Sequence, residues 1–207
     1  MPHPTRVFLL RHAESADPTV FHGAESDVDL SDRGRRQAAA LVDVLLPRRP
    51  DVIVTSNMRR ARATAAPLAQ ALGFEPQIEP LLHERRVGIL SGVSVREQDV
   101  WPVTLKHWTS GNTAYAHEGA ESFDDLRERV LPIWERVVAQ HAGRTLVVVV
   151  HGIICRVILL SILNDFGPGA WGRVPTPNCG ISELIWEKEA WTALSLGRQP
   201  DAVRGVD

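Results

Sequence analysis

Residues Thr145–Val150, TLVVVV, constrain the fold of this chain more tightly than any other stretch. A β-branched run with no alternating polar residue reads as a strand buried on both faces. Such strands belong to sheets whose two sides are covered by helices. Thr5–Leu10 is a second short buried strand and Val52–Val54 a third. Helical patterns fall between them. The segment DLSDRG, Asp29–Gly34, offers Ser31 or Asp32 as an N-cap, and the pattern that follows puts Ala38, Leu41 and Leu45 on one stripe to about Leu46, with Pro47 and Pro50 as its end. Met58–Leu72 is a helix stopped by Gly73, with Pro67 inside it as a kink point. Ser122–His141 is a helix capped by Ser122 with acids in its first turn, and another runs from Gly152 to about Leu163.

The remaining segments are less regular. Gln77–Leu82 is weakly extended, Ile181–Trp186 and Trp191–Leu196 form a closing hairpin pair, and the polar tail from Gly197 is expected to be loose. Ser91–Glu121 carries no regular pattern and holds Trp101, Trp108 and Tyr115. The expected fold is α/β: a three-layer α/β/α sandwich on a mostly parallel sheet, with a small insertion. Residues 1–207 are read as one domain and 91–121 as its lid.

Composition narrows the function. The 207 residues carry a net charge of -2, so no bulk field favours nucleic acid or an anionic membrane. The longest apolar run, GIICRVILLSIL, is broken by Arg156 and too short to span a bilayer. Cys155 and Cys179 are too few for a disulfide framework, and the N-terminus lacks a signal-peptide pattern, which points to a cytoplasmic protein.

Three strands end in reactive chemistry: LLRH, VTSNMRR and VVVVHG. In parallel sheets, ligands collect at the carboxyl ends of the strands. Arg11, His12, Arg60 and His151 can therefore converge into a small cationic pocket. Arginine forks match phosphate oxygens, and a neutral imidazole can attack phosphorus. Gly152 lets backbone approach a ligand closely.

These stretches resemble the histidine phosphatase superfamily, the group that includes cofactor-dependent phosphoglycerate mutases and small phosphatases. LLRHAES is similar to its signature, and DLSDRGRRQA, TSNMRRARATA, LLHERRVGILSG, GAESFDDLRERV, VVVVHGIICRVIL and PNCGISELIW are similar to its later segments, in family order. The resemblance implies that His12 is the nucleophile and forms a phosphohistidine. It implies that Arg11, Arg60, His151 and Gly152 bind phosphate, that Glu84 is the proton donor, and that His151 shares in catalysis. It implies a small-molecule phosphomonoester as partner, no cofactor and no metal, and leaves a homodimer open.

Two positions depart from the family pattern. Ala13 replaces the usual glycine after the histidine, which is tolerable where φ is negative. Asp17-Pro18 stands where mutase-type members carry Trp-Asn, with Ser15, His22 and Gly23 as candidates to fill that role. Other residues have plainer readings. His3, His107, His117 and His141 are surface or satisfied core residues. Arg59, Arg62, Arg85 and Arg86 are solvated or ion-paired, Cys155 is core, and Arg156 requires an acidic partner. HERRV at His83 lacks the second histidine of a zinc-protease helix. Trp101 and Trp108 either line the cavity or seal a subdomain. The expected activity is metal-independent phosphomonoester hydrolysis on a small phosphorylated metabolite. The rivals are phosphoglycerate mutase-type transfer and a catalytically inactive binding module.

Overall fold

The computed structural model describes residues 3–206. Its sheet has the strands β1 (Thr5–Arg11), β2 (Val52–Thr55), β3 (Gln77–Ile78), β4 (Thr145–Val150), β5 (Ile181–Glu187) and β6 (Ala190–Arg198). Their spatial order is β3-β2-β4-β1-β5-β6. β3, β2, β4 and β1 pair in parallel, while β5 joins β1 and β6 joins β5 antiparallel.

Period-two alternation along the central strands separates two cores. Val7 and Leu9 of β1, with Leu146, Val148 and Val150 of β4, face one side; Phe8, Leu10, Val147 and Val149 face the other. The first side is covered by α4 (Phe123–Gln140) and α5 (Gly152–Ile162), the second by α1 (Asp32–Leu45) and α2 (Arg59–Leu72). Burial on both faces is why β4 carries no polar alternation. The α/β/α expectation holds, including the antiparallel edge.

The caps follow local chemistry. Ser31 caps α1 by accepting from Gly34 N, and Ser122 and Asp125 form a reciprocal capping box on α4. Gly73 closes α2 with φ of 75°, and α2 runs continuously through Pro67.

Two expectations fail. Ser91–Glu121 contains the helix α3 (Val100–Thr109), because Trp101, Thr104 and Trp108 share one face and pack inward. The tail is not loose: it forms α6 (Asp201–Arg204), with Val203 fully buried in the core beside α1 and Arg33 Nε donating to Val206 O at 3.0 Å. The extended reading of Gln77–Leu82 also shrinks to β3, since Pro80 starts a 3-10 turn over Pro80–Leu82. No described helix is long and apolar enough to cross a membrane.

Candidate active site

β4 lies between β1 and β2, so the chain departs from the sheet in different directions at the ends of β1 and β4. A crevice opens at such a switch point. The parallel register sets Arg11 opposite Val150, and His12 N donates to Val150 O at 2.9 Å. The next residue on each strand is a histidine. The rings of His12 and His151 consequently lie 5.2 Å apart, edge to face.

The crevice is a pocket of about 240 Å³, whose wall includes Arg11, His12, Arg60, Glu84, Gly152 and Asn178. A larger open groove of about 940 Å³ runs along α2 and β3, but its lining has no histidine or cysteine to act as a nucleophile. Arg60, from the first turn of α2, is buried and donates to Ser26 O and Gly23 O, both at 2.9 Å. Arg11 donates through Nη1 to Thr176 O at 2.8 Å, while its Nε is buried without a partner. A Cβ on Gly152 would stand 3.4 Å from that Nε, an ordinary van der Waals distance, so the Arg11 fork lies packed against the start of α5. His151 is fully buried beside His12 and behind the pocket wall.

The two imidazoles differ in their hydrogen bonds. His12 Nδ1 lies 2.6 Å from Ala13 O. A carbonyl can only accept, so Nδ1 carries the proton and Nε2 keeps its lone pair. His151 Nε2 lies 2.8 Å from Ser56 Oγ, and its Nδ1 is buried without a partner. Both histidines are held well below the usual imidazole range, first by burial; Arg11 and Arg60 then act on His12, and Arg60 and His12 on His151. Both are neutral at neutral pH. Arg11 and Arg60 are lowered by burial, with Glu84 opposing the shift. Glu84 Oε1 accepts from Arg85 N at 2.9 Å, and its Oε2 lies 3.4 Å from Ile153 N in the first turn of α5.

The departures in the signature resolve structurally. Ala13 is absent from the left-handed residues, so its methyl costs no strain. Its N–H donates to Thr64 Oγ1 at 2.9 Å, which ties the signature to α2. Asp17 does take a φ of 49°, but its carboxylate turns to Thr19 and does not line the pocket. Ser15, His22 and Gly23 all line it.

Several residues escaped the sequence reading. Ser56 lies within the segment recognised around Arg60, but its partner is 95 residues away. Asn178 Nδ2 donates to His12 O at 3.1 Å. Arg85 was expected to be solvated or ion-paired and is neither. It is 1% exposed, on the pocket wall, with its guanidinium over the rings of Trp101 and Trp108. Arg156 was expected to have an acidic partner; its Nε instead donates to Val174 O at 2.9 Å, and its fork lies over Trp171. Arg59, by contrast, is exposed and pairs with Asp29. Trp101 lines the pocket and Trp108 seals the core beneath it. The Cys179 thiol is pushed up to about 12 by burial and Cys155 higher still, so neither is a nucleophile at neutral pH.

A pocket with a free imidazole nitrogen, two buried guanidiniums and one carboxylate, backed by a second imidazole whose Nδ1 has no partner, suits transfer of a phosphoryl group. Known proteins agree. The profile of the histidine phosphatase superfamily (branch 1) matches residues 7–199. The chain is 31% identical over 212 residues to a glucosyl-3-phosphoglycerate phosphatase of Mycolicibacterium vanbaalenii, covering 91% of this chain and 94% of the relative. It is 29% identical over 200 residues to a metal-independent phosphoserine phosphatase of Arabidopsis thaliana, covering 92% and 82%. The structure of a mycobacterial glucosyl-3-phosphoglycerate phosphatase superposes with a TM-score of 0.81 at 26% identity, over 95% of this chain and all of that one. With signature, register and relatives in agreement, this chain belongs to the histidine phosphatase superfamily and is a phosphatase of that family.

Proposed function

We propose that the protein hydrolyses a phosphomonoester of a small metabolite, without a metal, through a phosphohistidine on His12. The hydrogen bond from His12 Nδ1 to Ala13 O carries this reading, because it leaves Nε2 as a neutral nucleophile inside a cluster of phosphate-binding cations.

In the first step the Nε2 lone pair attacks phosphorus and the bond to the leaving oxygen breaks. Glu84 gives its proton to that oxygen, and the alcohol departs. The phosphorylated ring keeps its Nδ1 proton, and its positive charge is held by the Ala13 carbonyl. In the second step water attacks the phosphorus, the P–N bond breaks, and the Glu84 carboxylate takes the water proton. Inorganic phosphate leaves and His12 returns to neutrality.

Arg11, Arg60 and His151 stabilise the transferring oxygens. The buried, unpartnered Arg11 Nε and His151 Nδ1 support this, since each gains a partner when a phosphoryl group arrives. The N-terminus of α5, with Gly152, adds backbone N–H groups. Segment 91–121 closes over this end as a lid, with Trp101 on the pocket wall. The donor set argues for metal independence: guanidiniums are not metal ligands, and four of them on the wall repel a divalent cation. The Arabidopsis relative is named for the same property.

A panel of phosphomonoesters, assayed with and without chelator, tests this reading. Release of inorganic phosphate at a chelator-independent rate is expected. Chelator inactivation that a divalent metal reverses contradicts it, and so does efficient isomerisation of a phosphoglycerate with little phosphate release.

A further inference from the structure

Glu84 stands on a connecting loop, outside every strand and helix of the fold. The 3-10 turn Pro80–Leu82 precedes it, and the chain after it runs on to Gly88. Its carboxylate takes its direction from the loop itself, because Oε1 accepts from the next amide, Arg85 N, at 2.9 Å. A proton donor on a loop is only as well placed as the loop.

The loop is gripped from α4. Arg129 donates through Nη1 to two of its carbonyls, Leu81 O at 2.6 Å and His83 O at 3.1 Å. The other edge of the same guanidinium, Nε and Nη2, donates to the two carboxylate oxygens of Glu121 at 2.8 and 2.9 Å. Glu121 then holds the far side of Glu84. Its Oε2 accepts from Arg86 N at 2.8 Å, its carbonyl accepts from Arg85 Nε at 2.7 Å, and its N–H donates to Arg86 O at 3.0 Å. The two residues thus fix positions 81 and 83 before the acid and 85 and 86 after it.

The grip is rigid. Both side chains are largely buried, and two parallel bonds between a guanidinium and a carboxylate are among the strongest polar contacts a protein makes. Burial acts to raise the Glu121 carboxyl, but the hydrogen bonds from Arg129 and Arg86 N outweigh it and hold the group below the usual carboxylate range. The pair is therefore ionised at neutral pH. Glu121 immediately precedes Ser122, whose capping box with Asp125 sets where α4 begins. Neither Arg129 nor Glu121 lines the pocket. A buried ion pair adds little net stability, so stability alone gives this one no reason to span both flanks of Glu84.

We propose that Arg129 and Glu121 are positioning residues for the reaction, splinting the loop 81–86 so that the Glu84 carboxyl stays within reach of the departing oxygen. The inference rests on the phosphatase reading above, with Glu84 as proton donor, and adds two residues that act through it.

Phosphoserine, phenyl phosphate and nitrophenyl phosphate form a series in which the leaving oxygen needs a proton less and less. Measured as kcat/KM, the series reports attack and departure and leaves out the later hydrolysis of the phosphohistidine. Displacing a reacting group by about 1 Å costs up to ~10²-fold, so Arg129→Gln and Glu121→Gln should each lose ~10- to 100-fold on phosphoserine. Their losses should be smaller on phenyl phosphate and smallest on nitrophenyl phosphate. Arg129→Lys keeps the charge without the fork; it should show the same graded pattern at lower amplitude, and it carries the test if a Gln variant folds poorly. In a Glu84→Gln background, Arg129→Gln should add nothing further to the graded loss. Equal losses on all three esters, with or without a lowered melting temperature, make the pair merely structural and overturn the proposal. A graded loss that persists in the Glu84→Gln background overturns it as well. An ungraded loss in Glu84→Gln itself overturns instead the role of Glu84 in the phosphatase reading.

Discussion

The Ser56 hydroxyl stands 2.8 Å from Nε2 of His151, and both side chains are fully buried at the ends of neighbouring strands. Ser56 Oγ is also approached by Met58 N at 3.4 Å, which favours the hydroxyl proton pointing to the imidazole. Nε2 then accepts, and the His151 proton resides on the unpartnered Nδ1. On this account Ser56 is a positioning residue that selects the tautomer of His151 able to donate to the phosphoryl group.

Ser56→Ala removes that selection. Loss of a buried hydrogen bond of this kind is worth about 1–2 kcal/mol, so kcat should fall ~5- to 30-fold. KM should change less, because Arg11 and Arg60 remain. Steady-state kinetics check this, and native kcat in the alanine variant contradicts the assignment.

Glu84 is the one carboxylate on the pocket wall, and the proposed mechanism gives it the protonation of the departing alkoxide. Nitrophenolate leaves without much help, whereas an alkyl alkoxide does not. General acid catalysis is worth ~10²–10⁴-fold, so Glu84→Gln should cost that much on alkyl phosphates and far less on nitrophenyl phosphate. Equal losses on the two substrates remove Glu84 from leaving-group departure.

The depressed histidines make stability depend on pH. His12 and His151 resist protonation in the folded protein, while the unfolded chain takes up protons near the ordinary value of 6.5. Below that value the unfolded state binds more protons, so stability falls as pH falls. Each histidine that withholds a full proton costs about 1.4 kcal/mol per pH unit. The melting temperature should therefore drop between about pH 7 and 5, and His12→Asn should flatten the slope. A native melting temperature that is constant over that window contradicts the burial argument.

Local chemistry made much of this molecule legible. The β4 run, the α4 capping box and the strand ends at His12 and His151 are written in contiguous residues, and their register follows from parallel pairing. What was missed depends on distant partners. Arg85 is buried because Trp101 and Trp108 fold back over it, and no local pattern announces a cation stacked on indole. Arg156 is satisfied by a carbonyl, which leaves no trace in side-chain identity. The face shared by Trp101, Thr104 and Trp108 did have helical spacing, but Pro102 and the surrounding turn residues obscured it. Val203 gave α6 a single apolar anchor, too little to separate a docked turn from a free end.

The central claim is covalent attachment of the phosphoryl group to His12, and rapid quench with phosphorus-labelled substrate measures it directly. The account predicts an acid-labile, alkali-stable adduct on Nε2 of His12, formed in a burst and lost in His12→Ala together with turnover. Full activity in His12→Ala, or turnover with no such adduct at any time, contradicts it.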